Sequence, residues 1–195
     1  MEPWFRPLVW MDYRLAVLFT VIIPLILLIW AFAQGSEAIQ RLTTIYWRVA
    51  SLLAITVYLM IGGYGVAFVC GLVAKILIPA SLWFWVDLND ELEYQVNTPL
   101  KFTFTSWRWA ISFYCILSAI ASLPFLGCVV GANKASSFCN VWFQAPLLFK
   151  QYFHSGDSQE MLANVGLFGL AVYVLYFAYF VLIKLGKKGR SALQQ

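Results

Sequence analysis

The stretch GLVAKILIPASLWFWVDL, Gly71–Leu88, decides how this chain folds. Lys75 follows a run of 26 uncharged residues, Val49–Ala74, and 11 more uncharged residues, Ile76–Val86, come after it. A lysine in this place either ends an apolar helix or lies inside a longer apolar region. Lys75 is therefore a candidate for a contact inside a membrane, and its alternative is a side chain that reaches out to the polar interface.

The composition supports a membrane location for the whole chain. Of the 195 residues, 62% are hydrophobic and only 11% are charged, whereas soluble domains are about a quarter charged. A helix needs about 20 apolar residues to cross a bilayer. Four uncharged runs of 22 to 26 residues meet that length: Leu15–Ser36, Val49–Ala74, Trp109–Asn133 and Met161–Ile183. The sequence therefore predicts an all-α, polytopic transmembrane helix bundle.

Two layouts fit the region around Lys75. In one, a single span ends near Lys75, and Ile76–Val86 is an interfacial or re-entrant segment, which gives four spans. In the other, the GGYG sequence at 62–65 is a tight turn between two shorter spans. We favour the second layout because it removes Trp83 and Trp85 from water, although a lysine inside a span costs about 2.5–3.5 kcal/mol. The five spans then lie at about 15–33, 44–61, 66–86, 109–129 and 165–183, in one domain covering 1–195.

Residues outside these spans suggest further features. The aromatic and arginine-containing segment before residue 15 is predicted to lie in the membrane interface. Pro24 is predicted to kink the first span, with a neighbouring helix satisfying the freed carbonyl group. The outer loop, 130–164, is predicted to form an amphipathic surface helix around VWFQAPLLFKQYF.

Basic residues after the last span predict the orientation. Lys184, Lys187, Lys188 and Arg190 lie within seven residues. The positive-inside rule places such a cluster, and hence the C-terminus, in the cytoplasm. Five crossings then place the N-terminus outside. Since a basic cluster beside a span is the usual topology signal, it does not indicate nucleic-acid binding.

Cysteine and histidine residues limit the possible cofactors. Cys128 and Cys139 bracket VVGANKASSF at the outer mouth of the fourth span and are the candidates for a disulfide, with two free thiols as the alternative. His154 is the single histidine, so two histidine ligands to one haem cannot come from one chain. It is a candidate axial ligand for chlorophyll magnesium, whereas a solvated loop histidine is the simpler interpretation. The sequence predicts no metal site and no catalytic residue.

Small residues in the fourth span form a candidate helix-packing stripe. Ser118 and Ser122 are four residues apart on one helical face, and Gly127 and Gly131 extend the stripe of small residues along the chain. Small residues let membrane helices approach closely. Because the predicted spans contain no acidic residue, we expect Lys75 to have no charged partner on this chain.

Four stretches carry a resemblance to a known family: EPWFRPLVWMDYRLAVLFTVIIPL, YWRVASLLAITVYLMI, ILIPASLWFWVDLN and VLYFAYFVLIKLGKKGRSA. Together they resemble an uncharacterised family of small integral membrane proteins of cyanobacteria, which are oxygenic photosynthetic bacteria. The resemblance covers nearly the whole chain. It implies a thylakoid or plasma membrane location and a partner role near a photosynthetic complex, and it transfers no catalytic residues.

The sequence favours a non-catalytic auxiliary subunit or assembly factor of a membrane complex, and the resemblance implies that this complex is photosynthetic, such as a photosystem. Its partners would be the helices of that complex and lipid, with chlorophyll or carotenoid as candidate pigments. A small-solute transporter or channel component, with Lys75 on the path, is the first alternative. A membrane-embedded lipid-modifying enzyme is the second.

Overall fold

The computed structural model describes residues 4–129, 137–185 and 191, with the backbone alone at 137 and 184. Helices make up almost all of this described part. The α-helices are α1 (Arg6–Val17), α2 (Ile23–Gln34), α3 (Glu37–Ile61), α4 (Val66–Trp83), α5 (Val86–Tyr94), α6 (Pro99–Ser122), α7 (Ser137–Phe153) and α8 (Gln159–Tyr179). A π-helical turn, Leu18–Ile22, joins α1 to α2, a 3-10 helix, Leu123–Val129, extends α6, and a second π-helical segment, Phe180–Leu185, extends α8.

Five helical stretches in the described residues are long and apolar enough to cross a membrane. They are Arg6–Gln34, Glu37–Ile61, Val66–Trp83, Pro99–Val129 and Gln159–Ile183. We call them spans 1 to 5. The all-α bundle with five spans is therefore confirmed, and the protein is an integral membrane protein.

The GGYG sequence forms the turn between spans 2 and 3. Gly63 has φ +68°, a left-handed conformation that only glycine adopts without strain. The amide of Tyr64 donates to the carbonyl of Leu59 at 3.0 Å, which closes the turn. A side chain at Gly62 would collide with Ala163 of span 5. The glycines therefore allow the chain to reverse between spans 2 and 3, and they allow span 5 to approach the turn closely.

The first span starts earlier than predicted. Residues before 15 do not lie apart in an interfacial segment, because α1 begins at Arg6 and runs through the π-helical turn into α2. Pro7 is tolerated in the first helical turn, where its missing N–H has no helical partner. Pro24 cannot donate to Thr20, and the hydroxyl of Tyr46 on α3 donates to that carbonyl instead, at 2.7 Å. The predicted satisfaction of the freed carbonyl is thus present.

The bundle has two ends with separate cores. The turn end holds Arg6, the 62–65 turn and α7; the link end holds the Gly35–Ser36 connection and α5. The core at the turn end includes Leu59, Phe68 and Trp142. The core at the link end includes Tyr46, Leu82, Leu88 and Phe104.

Within the predicted outer loop, α7 packs into the turn end. Its Trp142 is buried, and the hydroxyl of Tyr13 donates to the Trp142 carbonyl at 2.7 Å. A disulfide joins Cys128 to Cys139, with Cα atoms 5.8 Å apart. Helix α7 is thus a covalently tied part of the bundle as well as an amphipathic helix.

Candidate functional site

Asp12 is the centre of a polar cluster between spans 1, 3 and 4. One carboxylate oxygen, Oδ1, accepts from Ser118 Oγ at 2.5 Å and from Tyr114 OH at 2.9 Å. The other, Oδ2, is 3.5 Å from Lys75 Nζ. The Asp12 side chain is 20% exposed. We call Asp12, Lys75, Tyr114, Ser118 and Ser122 the polar centre.

Lys75 is held on several sides within the polar centre. Its ammonium donates to Ser122 Oγ at 2.8 Å, and Ser122 Oγ in turn donates to the carbonyl of Ser118 at 2.6 Å. The indole ring of Trp142 lies 5.6 Å from the ammonium. Only 12% of the Lys75 side chain is exposed. This environment provides the lysine with an ion pair, a hydroxyl group and an aromatic face.

The expectation that Lys75 has no charged partner on this chain is wrong. It depended on counting acids only after residue 15, whereas span 1 begins at Arg6 and carries Asp12 into the bundle. The available signal was Asp12, the single acid within Arg6–Arg14, a stretch that is otherwise apolar, aromatic and basic. Lys75 does lie within a span and turns inward, as the five-span layout requires.

The proposed helix-packing stripe has a more specific role at two of its positions. Ser118 is buried and Ser122 half-buried, and both face span 1 and span 3 through the hydrogen bonds of the polar centre. Gly127 is exposed in the 3-10 helix. Gly131 lies outside the described residues.

His154 is fixed by two neighbours at the turn end. Its Nδ1 lies 2.8 Å from an oxygen of Asp157, and its Nε2 lies 3.1 Å from the hydroxyl of Tyr58. An axial magnesium ligand needs a ring nitrogen with a free lone pair. Chlorophyll ligation by His154 would therefore require the Tyr58 hydroxyl to move away. Among the described residues, no three His, Cys, Asp or Glu side chains are grouped as a metal site.

Arg108 forms a second buried polar site, towards the link end. The sequence analysis did not single out Arg108, which directly precedes the uncharged run Trp109–Asn133, yet it is 5% exposed. Its guanidinium carbon lies 3.9 Å from the centre of the Trp83 ring, and Nη1 donates to Asn89 Oδ1 at 2.6 Å. The Trp83 indole N–H donates to Ser112 Oγ at 3.0 Å. We call Arg108, Trp83, Asn89 and Ser112 the arginine site.

A comparison with protein families gives one match. The model of the family described as "Protein of unknown function (DUF3177)" matches residues 6–193. The chain belongs to the DUF3177 family. The expected membership in an uncharacterised family is thereby confirmed. No curated protein and no solved structure matches.

The geometry defines what the two sites of this DUF3177 protein can do chemically. The polar centre can hold three spans together, because Asp12 of span 1 contacts Lys75 of span 3 and two hydroxyl groups of span 4. The arginine site presents a desolvated guanidinium group, and some of its N–H donors have no acceptor among the described residues. Of the two sites, the sequence analysis pointed only to residues of the polar centre: Lys75, Ser118 and Ser122.

Proposed function

We propose that the protein is a non-catalytic auxiliary subunit or assembly factor that binds helices of a larger membrane complex. The family resemblance favours a photosynthetic complex, plausibly a photosystem, in a thylakoid or plasma membrane. One observation carries the proposal: span 5 packs along one side only. Its other side is large, apolar and aromatic.

The packed side of α8 is narrow and rich in small residues. Its buried residues are Leu162, Ala163 and Gly166. A side chain at Gly166 would lie 3.0 Å from the Leu59 amide nitrogen of α3, so this glycine sets the close contact between the helices. Span 5 is thus fixed to span 2 and has little contact elsewhere in the described chain.

The open side of α8 has the character of a surface for another membrane helix. Phe168 and Leu175 are 74% and 72% exposed. Tyr176 and Tyr179 are 44% and 49% exposed, with hydroxyl groups that hydrocarbon chains cannot satisfy. Aromatic side chains with one polar atom suit protein interfaces and the membrane boundary. A partner helix, with pigment or lipid between, would cover the apolar rings and provide acceptors for the phenols.

Site-specific photo-crosslinking tests this function. A benzoylphenylalanine at Phe168 or Leu175 should cross-link to a defined integral membrane polypeptide in native membranes. The same group at buried Leu162 is the matched control on the same helix and should cross-link within the chain. Mass spectrometry of the adducts then identifies the partner. Lipid adducts alone at both exposed positions would contradict partner binding.

The polar centre favours a second candidate function, a transporter or channel component. A carboxylate paired with a lysine inside a membrane is a common element of proton and ion pathways. Purified protein in vesicles with an internal pH dye would test this. Proton flux that disappears in Asp12→Asn, but not in Ser51→Ala on the exposed side of α3, would support transport. Vesicles no leakier than protein-free ones would contradict it.

A further inference from the structure

We propose that the arginine site binds an oxyanion of the phosphate type, provided by a lipid headgroup or by a free anion. The inference is independent of the partner surface on α8. It follows from a buried arginine that its neighbours hold in place, although none of the described residues pairs with it as an anion.

The cation is held rigidly by neutral groups. The Trp83 ring that stacks on Arg108 is fixed by its bond to Ser112 and by the ring of Trp109, 4.7 Å away. Asn89 is oriented because its amide nitrogen donates to the Trp85 carbonyl at 2.6 Å. Its oxygen is thereby aimed at Arg108. The contacts of Trp83 and Asn89 therefore fix the position of the guanidinium group.

The guanidinium group keeps unused hydrogen-bond capacity. It carries five N–H donors, and a single side-chain acceptor, Asn89, is bonded to it in the described chain. Its Nε is buried without an acceptor. No carboxylate of a described residue lies within ion-pair distance of Arg108. A desolvated arginine in this state strongly favours an anion that can accept from two nitrogens at once.

The acids near this site are on α5 and do not provide that anion. Asp90 and Glu93 are exposed, and Glu91 is half-buried. Asp87 accepts from Ser191 Oγ at 3.0 Å. Lys101 donates to the backbone carbonyls of Glu93 and Gln95. An anion at this site would therefore come from outside the described chain.

The position of Arg108 suits a phosphate group at a membrane surface. It is the last charged residue before the uncharged run Trp109–Asn133. Trp83 and Trp109 flank it, as aromatic residues commonly do at the boundary between hydrocarbon and headgroups. A phosphate oxygen of a lipid at this boundary would accept from the planar fork of the guanidinium. A free phosphate reaching the same place from water would use the same donors.

Lipid binding by the purified full-length protein tests the proposal. Native mass spectrometry in detergent would be titrated with short-chain phosphatidylglycerol in one arm and with inorganic phosphate in the other. We expect phosphatidylglycerol to bind the wild type at least ten-fold more tightly than Arg108→Gln. Arg48→Gln is the matched control, since it removes an exposed arginine from α3 and should bind as the wild type does. Competition by inorganic phosphate alone, without lipid retention, would assign the site to a free anion.

A second variant keeps the test valid if Arg108→Gln fails to fold. Asn89→Asp places a carboxylate where Asn89 Oδ1 now lies 2.6 Å from Arg108 Nη1, so it should replace the external anion. It gives up the amide bond to the Trp85 carbonyl but leaves the Trp83 ring stacked on Arg108. We expect it to lose phosphatidylglycerol and phosphate binding and to retain its helical circular dichroism. The proposal is overturned if Asn89→Asp binds both as tightly as the wild type, or if neither binds the wild type. The second result would also be expected if an acidic side chain of a partner subunit normally fills the site.

Discussion

At the scale of single residues, the charges of Asp12 and Lys75 stabilise each other. Each charge is largely removed from water, so removing one partner leaves the other uncompensated in the bundle. The hydroxyl groups of Tyr114 and Ser118 stabilise the carboxylate but cannot replace the cation. We therefore expect the pair to specify the arrangement of the helices, and to add little to the net free energy of unfolding compared with a well-packed apolar pair.

We expect Lys75→Met to lower the free energy of unfolding by about 3 kcal/mol, the lower part of the range for breaking a buried pair, because both side chains keep some exposure. Asp12→Asn should also destabilise the protein. The double variant should cost less than the sum of the single changes, since it leaves no lone charge. Denaturant titration in detergent, followed by tryptophan fluorescence, measures this cycle. Strict additivity would show that the two charges do not interact.

The sequence predicted some residue-level features and missed others for a physical reason. The Cys128 and Cys139 pair could be predicted because both residues lie in one short segment. The partner of Lys75 could not, because Asp12 is 63 residues away and only the tilt and register of span 1 bring it close. Arg108 was missed similarly. A charge at the end of an apolar run has the same sequence pattern whether it faces water or lies beneath a tryptophan.

At the scale of the helices, the π-helical turn of span 1 is a docking point for its neighbours. It exposes backbone carbonyl groups that an uninterrupted α-helix would use internally. Tyr46 of α3 donates to the carbonyl of Thr20, and Trp107 of α6 donates to the carbonyl of Phe19 at 2.9 Å. The sequence predicted that Pro24 would leave a backbone carbonyl without its helical donor. It could not predict which side chains would donate instead, because that depends on how the helices pack.

We expect Tyr46→Phe to lower the free energy of unfolding by about 1–3 kcal/mol, because a buried carbonyl group loses its donor. Tyr64→Phe is the matched control, since the Tyr64 hydroxyl has no hydrogen bond to a described residue, and it should change stability by less than about 0.5 kcal/mol. Chemical unfolding of both variants in the same detergent gives the comparison. Equal effects would assign the Tyr46 contribution to packing.

For the whole molecule, two independent features predict the same orientation. The disulfide lies at the turn end, which suits an oxidising compartment. Residue 191, just beyond the basic cluster, bonds to Asp87 at the link end. We therefore expect the turn end outside and the link end in the cytoplasm.

Labelling of single cysteines tests this orientation in a background without the four native cysteines. Tyr64→Cys should react with a membrane-impermeant maleimide on intact cells or right-side-out vesicles. Ser191→Cys should react only after permeabilisation, because three spans separate the two positions. The reverse pattern would invert the orientation. Labelling of both positions from one side would exclude five crossings.

The disulfide itself gives a prediction that intact mass can check. Alkylation of the unfolded protein without reductant should label two thiols, Cys70 and Cys115, and reduction should raise the number to four. On the chain-entropy model, this short loop adds about 3 kcal/mol to stability. The double change Cys128→Ser with Cys139→Ser should therefore lower the free energy of unfolding by about that amount. Four labels without reductant would show that the bridge is absent.

The distance along the chain between Asp12 and Lys75 also affects how ribosomes and the insertion machinery handle this protein. At elongation rates of about 5–20 residues per second, the 63 residues between them take roughly 3 to 13 seconds to synthesise. During that interval span 1 carries Asp12 without the lysine that pairs with it in the folded bundle. We therefore expect the nascent helix to remain beside the translocation channel, or with its first turns in water, until span 3 emerges. Serine and tyrosine of span 4 arrive later still, so the first helix made is among the last to reach its final place.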